Sequence, residues 1–216
     1  MPRPHATHSR KTPVQARSVA TRDAILNAAS DILAKNGQAA LNTNRIATRA
    51  GVSIGALYQY FPNKRAILNT LLSDMYQTIV NDMETALEGL DAHTSADDKP
   101  TPLLETLQTL ARASQSEALR QPTRTQALER VAAELADDPD IAMMRTRVTA
   151  QLVYVLALNY VDAPETAAED MLAICRALVG TATARGERAG AELDQRMNRA
   201  VAGYFMGEPK TNKADP

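Results

Sequence analysis

The chain has 216 residues and 44% hydrophobic side chains, enough for one or two domains with a core that needs no disulfide or metal staple. A single cysteine, Cys175, excludes a disulfide framework and a Cys-based zinc site. The formal net charge of −1 hides a division: residues 1–65 hold ten Lys/Arg against two Asp/Glu, a surplus of +8, and the remainder carries −9. A basic head on an acidic body suggests that one part meets a polyanion.

No segment reads as a strand, and apolar residues recur with helical spacing throughout. Residues 1–17, with Pro2, Pro4 and Pro13 and four Arg/Lys, read as a disordered basic arm. A first helix is expected over about Ser18–Asn36, with Ile25, Ala28, Ala29, Ile32 and Leu33 on its inner face and Gly37 as its stop. Two short helices follow, Asn44–Ala50 with Thr43 as N-cap and Ile54–Tyr60 with Ser53 as N-cap. Asn63 then caps a long helix from Lys64 to about Leu90. The polar stretch Asp91–Pro102 reads as a loop. Helices are expected at about 102–119, 123–136, 139–160, 164–186 and 190–206, making nine, with a polar tail from residue 208. The domain boundary falls near residue 65: a head over 18–65 and a helical body over 66–207.

The informative stretch is Thr43–Lys64. Two short helices around a Gly-centred turn form a helix-turn-helix. Ala47 is small enough for the helices to cross, Gly51 supplies a positive φ, and Ile46, Val52, Leu57 and Phe61 form the inner anchors, with Ala50 close by. The second helix should enter a DNA major groove, presenting Gly55, Ala56, Tyr58, Gln59 and Tyr60. Gly55 and Ala56 allow close approach, Gln59 can pair with an adenine edge, and the tyrosine hydroxyls can reach phosphates. Thr43 and Ser53 begin helices whose N-termini can face phosphate. Lys64 sits at a helix N-terminus, where the dipole disfavours a cation, so a phosphate would explain it.

These residues resemble the tetracycline-repressor (TetR) family of DNA-binding regulators. The likeness runs from about Arg17 to Leu72 and includes Ile25-Leu26-Asn27-Ala28-Ala29, Ile46-Ala47, Ala50-Gly51-Val52-Ser53, Gly55-Ala56-Leu57-Tyr58, Tyr60-Phe61 and Asn63-Lys64. It implies an all-α dimer, with a helix-turn-helix DNA-binding domain followed by a dimerisation and ligand-binding domain. It also implies a palindromic operator and a small effector that changes the spacing of the two heads. Carried over by position, the DNA contacts fall on Thr43, Ser53, Gly55, Ala56, Tyr58, Gln59, Tyr60 and Lys64. A regulator of the same fold controlled by a protein partner is the alternative. No catalytic set, cofactor or metal site is expected, nor a membrane span or secretory leader, and the cytoplasm is the expected location.

Two further sets complete the reading. The apolar stripe Ala168, Met171, Leu172, Cys175, Leu178, Val179 and Ala182, with Leu193, Met197, Ala200, Val201, Tyr204 and Phe205, is expected to form a two-fold four-helix interface with a second subunit. That pairing would set the two recognition helices about one DNA turn apart, roughly 34–36 Å. The run Leu152–Leu158 is apolar nearly all round, which predicts burial at the centre of the body. Gln151 and Tyr154, three apart, would point into one space beside Met75, Tyr76, Met83 and Met144, a candidate pocket for a largely apolar, uncharged effector. The methionines read as ordinary core filler before pocket lining, and Gln151 and Tyr154 could simply bond to each other or to backbone. Cys175 reads as an inert buried thiol, and Asp137-Asp138-Pro139-Asp140 as a solvated helix start.

Overall fold

A computed structural model describes residues 13–93 and 102–206, and these are α-helical apart from turns and one 3-10 turn. The elements are α1 (Pro13–Asn36), the 3-10 turn Gln38–Ala40, α2 (Thr43–Ala50), α3 (Ile54–Tyr60), α4 (Lys64–His93), α5 (Leu103–Ser114), α6 (Ser116–Arg120), α7 (Pro122–Glu134), α8 (Pro139–Leu158), α9 (Pro164–Ala184) and α10 (Ala191–Met206). The chain divides into two compact units at Leu68/Asn69. Two expectations shift at the ends. Helix α1 begins at Pro13, a favoured first helical residue, so the last five residues of the expected arm are helical. Residues 1–12, most of the loop after α4, and the tail from 207 lie outside the described residues.

In the first unit, α1 lays Ile25, Ala28, Ala29, Ile32 and Leu33 against Leu41, Ile46, Ala47, Leu57, Phe61 and Ile67. Gly37 and Gly51 both take positive φ, at 74° and 69°. At Gly51 the local sequence dictates the turn. The Gly51 N–H reaches the Thr48 carbonyl and the Val52 N–H reaches that of Ala47 at 3.0 Å, the paired bonds that close a helix through a left-handed residue. The cap of α2 is Asn42 rather than Thr43: the Asn42 side chain accepts from the Arg45 N–H at 2.9 Å. Asn63 caps α4 as expected, accepting from the Ala66 N–H at 2.9 Å.

The second unit is organised on α9, which packs against α5, α7, α8 and α10. Its inner face, Ala167, Ala168, Met171, Leu172, Cys175, Val179 and Ala182, is buried within the protomer. That corrects the expected dimer stripe. Ala168, Met171, Leu172, Cys175, Val179 and Ala182 are consumed by the chain's own core, as are Leu193, Met197 and Val201 of α10. Leu178 packs half-buried against Val179, Ala182, Leu193 and Met197. Tyr204 donates its hydroxyl to Asp170 at 2.8 Å and stacks edge-on with the half-buried Phe205.

Helix α8 is not the central helix that its apolar run suggested. Ile141, Val148, Leu152 and Leu156 face inward, but Tyr154 is 66% and Leu158 59% exposed. Among the described residues it alone has the length and mean hydropathy of a membrane span. Its packed inner face and its exposed Arg145 and Arg147 suit a helix of a folded unit rather than one in lipid. The helix expected over 102–119 breaks in two at Gln115, giving ten α-helices among the described residues where nine were expected. Around the break the Ser114 hydroxyl turns back to the Ala111 carbonyl at 2.7 Å and the Gln115 amide donates to Ser114, so side chains compete for the backbone there. Asp138 is not solvated. It is buried and caps α8 by accepting from the Asp140 N–H at 3.0 Å.

Candidate functional sites: a nucleic-acid interface and an interior cavity

Helix α3 is short, and its seven residues present one anchor inward, Leu57, which is fully buried. Ser53 holds its start by accepting from the Ala56 N–H at 3.0 Å. Opposite the anchor, Gly55, Tyr58 and Gln59 are exposed, while Ala56 and Tyr60 are half-buried at the flanks. A Cβ added at Gly55 would meet nothing within 4 Å, so the protein itself has no need of a bare backbone there. The Thr43 and Tyr58 hydroxyls lie 3.2 Å apart, joining the start of α2 to the outer face of α3. Thr43 therefore belongs to the surface as a hydroxyl, not as a cap. Lys64 makes no hydrogen bond or ion pair among the described residues.

Sequence reasoning missed two neighbours of this face. Ile54, at the first position of α3, is 39% exposed although apolar, and such a side chain suits a thymine methyl. Arg45 is exposed in the first turn of α2, its guanidinium donating to the Ala40 carbonyl at 3.1 Å. Its signal was the same as that of Lys64: a cation where the helix dipole disfavours one. Arg49 is different. It pairs with Asp31 at 2.5 Å and ties α2 to α1, and that hydrogen bond holds the Asp31 carboxyl below its usual range.

A tetR-family regulatory-protein model matches residues 25–71, the stretch that builds this face. Over that stretch the chain is similar to the tetR family of bacterial regulatory proteins. It is 37% identical over 60 residues to the fatty acid metabolism regulator protein of Bacillus subtilis, covering 28% of this chain and 31% of the relative. It is 43% identical over 54 residues to the class C tetracycline repressor protein of Escherichia coli, covering 25% of each. The matches thus span less than a third of either relative. The fold as a whole is shared more widely. The fatty acid degradation regulator FadR of Bacillus halodurans superposes with a TM-score of 0.68 at 17% identity, covering 89% of this chain and 96% of that one.

The second unit holds a cavity of about 460 Å³ walled by α4, α5, α6, α7, α8 and α9. Met75 and Tyr76 line it as expected; Met83, Met144, Gln151 and Tyr154 do not. Met83 is packed in the core, and Met144 is half-buried elsewhere on α8. Gln151 faces the Val80 carbonyl at 3.5 Å, whereas Tyr154 is largely exposed and stands in the wall of an adjoining groove between α8 and α9 that Tyr76 also lines, so the two do not share a space. The lining is not purely apolar, because Arg145, Arg176 and Glu129 stand in the wall. Burial raises the Tyr76 hydroxyl above its ordinary pKa, although Arg145 and Arg176 pull it down. Burial likewise pushes the Glu129 carboxyl up, opposed by Arg176.

Cys175 is fully buried and its thiol is pushed up to about 11 by burial. With the folded value far above neutrality, thiolate is scarce at pH 8. A disulfide reagent at pH 8 is expected to titrate no fast thiol in the native protein and one thiol in denaturant. A stoichiometric fast reaction would show that the site opens readily.

Proposed function

We propose that this protein is a sequence-specific transcriptional regulator, a repressor that holds a palindromic operator as a homodimer and releases it when a small molecule occupies the cavity of the second unit. The outward face of α3 carries this reading: Gly55, Tyr58 and Gln59 are exposed at a helix whose only buried anchor is Leu57, and Lys64 stands nearby without a partner among the described residues. Control by a protein partner alone is the weaker alternative. The cavity favours a ligand, since the buried Thr125 hydroxyl in its wall has no hydrogen-bond partner. Regulation then follows from differential affinity: the ligand lowers operator affinity only as far as it prefers the released state. Such a role places the protein in the cytoplasm with the DNA.

The test is selection of bound DNA from a random pool, which should return an inverted repeat. On that site, Lys64→Ala is expected to weaken binding uniformly and to lower the salt slope by about 1. Gln59→Ala should instead relax preference at one position per half-site, by roughly 1–3 kcal/mol. Gel shifts at two salt concentrations separate the two effects. Equal affinity for all variants would remove the assignment of this face.

With the α9–α10 stripe spent inside the protomer, a second copy must use another surface. Most of the exposed large apolar side chains described in the second unit lie on the outer side of α8 and the turn after it, at Met143, Tyr154, Leu158 and Tyr160, with Tyr204 and Met206 on α10. Tyr154→Glu combined with Leu158→Glu is expected to give a monomer in sedimentation at micromolar concentration, with helical content unchanged. A persistent dimer would place the two-fold contact elsewhere.

A further inference from the structure

The cavity of the second unit is neither apolar nor closed. It shares Tyr76, Arg145, Val148, Leu172 and Arg176 with a groove of about 940 Å³ between α8 and α9, so these residues frame its mouth. Two arginines and one carboxylate gather there. Arg176 lies 3.7 Å from Glu129, a loose pair with both side chains partly exposed. Arg145 has no hydrogen bond or ion pair through its guanidinium among the described residues. Within the cavity wall the two arginines and Glu129 leave one positive charge in surplus, while the groove outside adds the Glu165 and Glu169 carboxylates. Behind it the wall turns apolar through Met75, Ile79, Ala132 and Leu172. At the other side stand the Gln115 amide, 5% exposed, and the Thr125 hydroxyl, 3% exposed and unpartnered. A buried hydroxyl left without a partner is costly, and one beside an empty volume is satisfied by what enters it.

We infer that the cavity takes an amphipathic monoanion, a small organic carboxylate whose head pairs with Arg145 beside Arg176. Its apolar body lies against Met75, Ile79 and Leu172, and an uncharged polar group at its far side meets Thr125 and Gln115. A guanidinium fork matches a carboxylate through two parallel hydrogen bonds, a geometry that an amide or an amine cannot offer. Glu129 sets the charge count. It pairs with Arg176, which leaves Arg145 for one carboxylate head, and the Glu165 and Glu169 carboxylates of the groove outside disfavour a second negative charge. The volume lies at the lower end of the range for drug-sized ligands and suits a molecule of modest length. The inference rests on the effector-responsive reading above and names the chemistry of that same site.

The experiment uses the full-length protein and a matched series of probes: medium-chain alkyl and arylalkyl carboxylates with and without a terminal hydroxyl, their primary amides, and the corresponding amines. Calorimetric titration without DNA reads binding, and displacement from the selected operator is read separately. Carboxylates are expected to bind, hydroxylated ones more tightly, with amides and amines at least tenfold weaker. Arg145→Gln should weaken carboxylate binding at least tenfold and leave thermal unfolding of the free protein unchanged, while Arg145→Lys restores part of it. Glu129→Gln should tighten carboxylate binding, and Thr125→Val should erase the advantage of the hydroxylated probes alone. Amides or amines binding as well as carboxylates, no carboxylate binding at all, or an unchanged affinity in Arg145→Gln would overturn the inference. Carboxylates that bind without displacing DNA would uphold it and defeat the effector reading; displacement by uncharged probes alone would do the reverse.

Discussion

Leu57→Ala is expected to abolish operator binding and to cost about 2–5 kcal/mol of stability in the first unit. Seven residues of helix have almost no stability by themselves, because nucleation is unfavourable and too few bonds follow it. Helix α3 exists because Leu57, fully buried, locks it into the core of the first unit beside α2, with Ser53 capping one end and Phe61 buried just past the other. Truncating that side chain removes the one apolar anchor within the helix and leaves a cavity in a unit of only 68 residues. Urea denaturation beside operator titration checks it, with Gln59→Ala as the control that should alter binding and spare stability. Wild-type operator affinity in Leu57→Ala would show that the helix is held by something other than this contact.

The second large effect is expected from Arg120→Ala. Glu117, 6% exposed, sits between Arg120 at 3.3 Å and Arg124 at 3.5 Å. Arg120 also binds Asp82 at 2.7 Å, and Ser116 donates to the same carboxylate, so the five-residue α6 is fastened to α4 by charge. Removing Arg120 leaves a buried carboxylate with one partner and an acid on α4 without its cation. The expected loss is about 1–3 kcal/mol, kept below the full cost of a broken buried pair because Arg120 is half exposed. The pH dependence has a definite sign. Burial raises the Asp82 pKa, but the hydrogen bonds from Ser116 and Arg120 outweigh it, so the folded value lies below the ordinary one. The pair therefore stabilises the protein above the ordinary carboxylate pKa, and this is lost as pH falls through the depressed folded value. The wild type should show that loss on the acid side, and Arg120→Ala should show less of it. Parallel acid limbs in thermal melts would mean that Asp82 does not carry the dependence.

Boundaries written in local chemistry were legible in the chain. Gly51 can close α2 only through a positive φ, Ser53 and Asn63 accept the N–H groups left over at helix starts, and the limits of α3 follow from those residues alone. Reading failed where an answer depended on which neighbour covers a face. The periodicity of α9 announced an apolar stripe from Ala168 to Ala182, but a stripe does not say whether its partner is another chain or α5, α7, α8 and α10 of its own. The same limit applied to α8, where an apolar run suggested a central helix and Tyr154 and Leu158 proved exposed. The cavity was half legible. Met75 and Tyr76 lie on the long helix and could be named, whereas Thr125, Glu129, Arg145 and Arg176 converge from three other helices whose rotations no local pattern records. The break at Gln115 was missed because its polar residues interrupt an otherwise continuous helical pattern without glycine or proline.

The bare outer face of α3 bears on how such a protein can change over generations. Gly55 has nothing of its own chain near the position of a Cβ, and Gln59 is exposed. Gly55→Ala should therefore raise the stability of the first unit by roughly 0.5–1 kcal/mol, since alanine is the better helix former, while weakening the operator complex that needs close backbone approach. Gly55 thus couples stability to the proposed reading, whereas Gln59, exposed on the same face, is expected to change the reading alone. Mutations at Gln59 leave the packed side untouched, so on the proposed reading a lineage could drift from one operator to another through folded intermediates. Leu57, two residues earlier, has no such freedom: the inner face of the helix is inherited as a unit with the core, and the outer face evolves with the DNA.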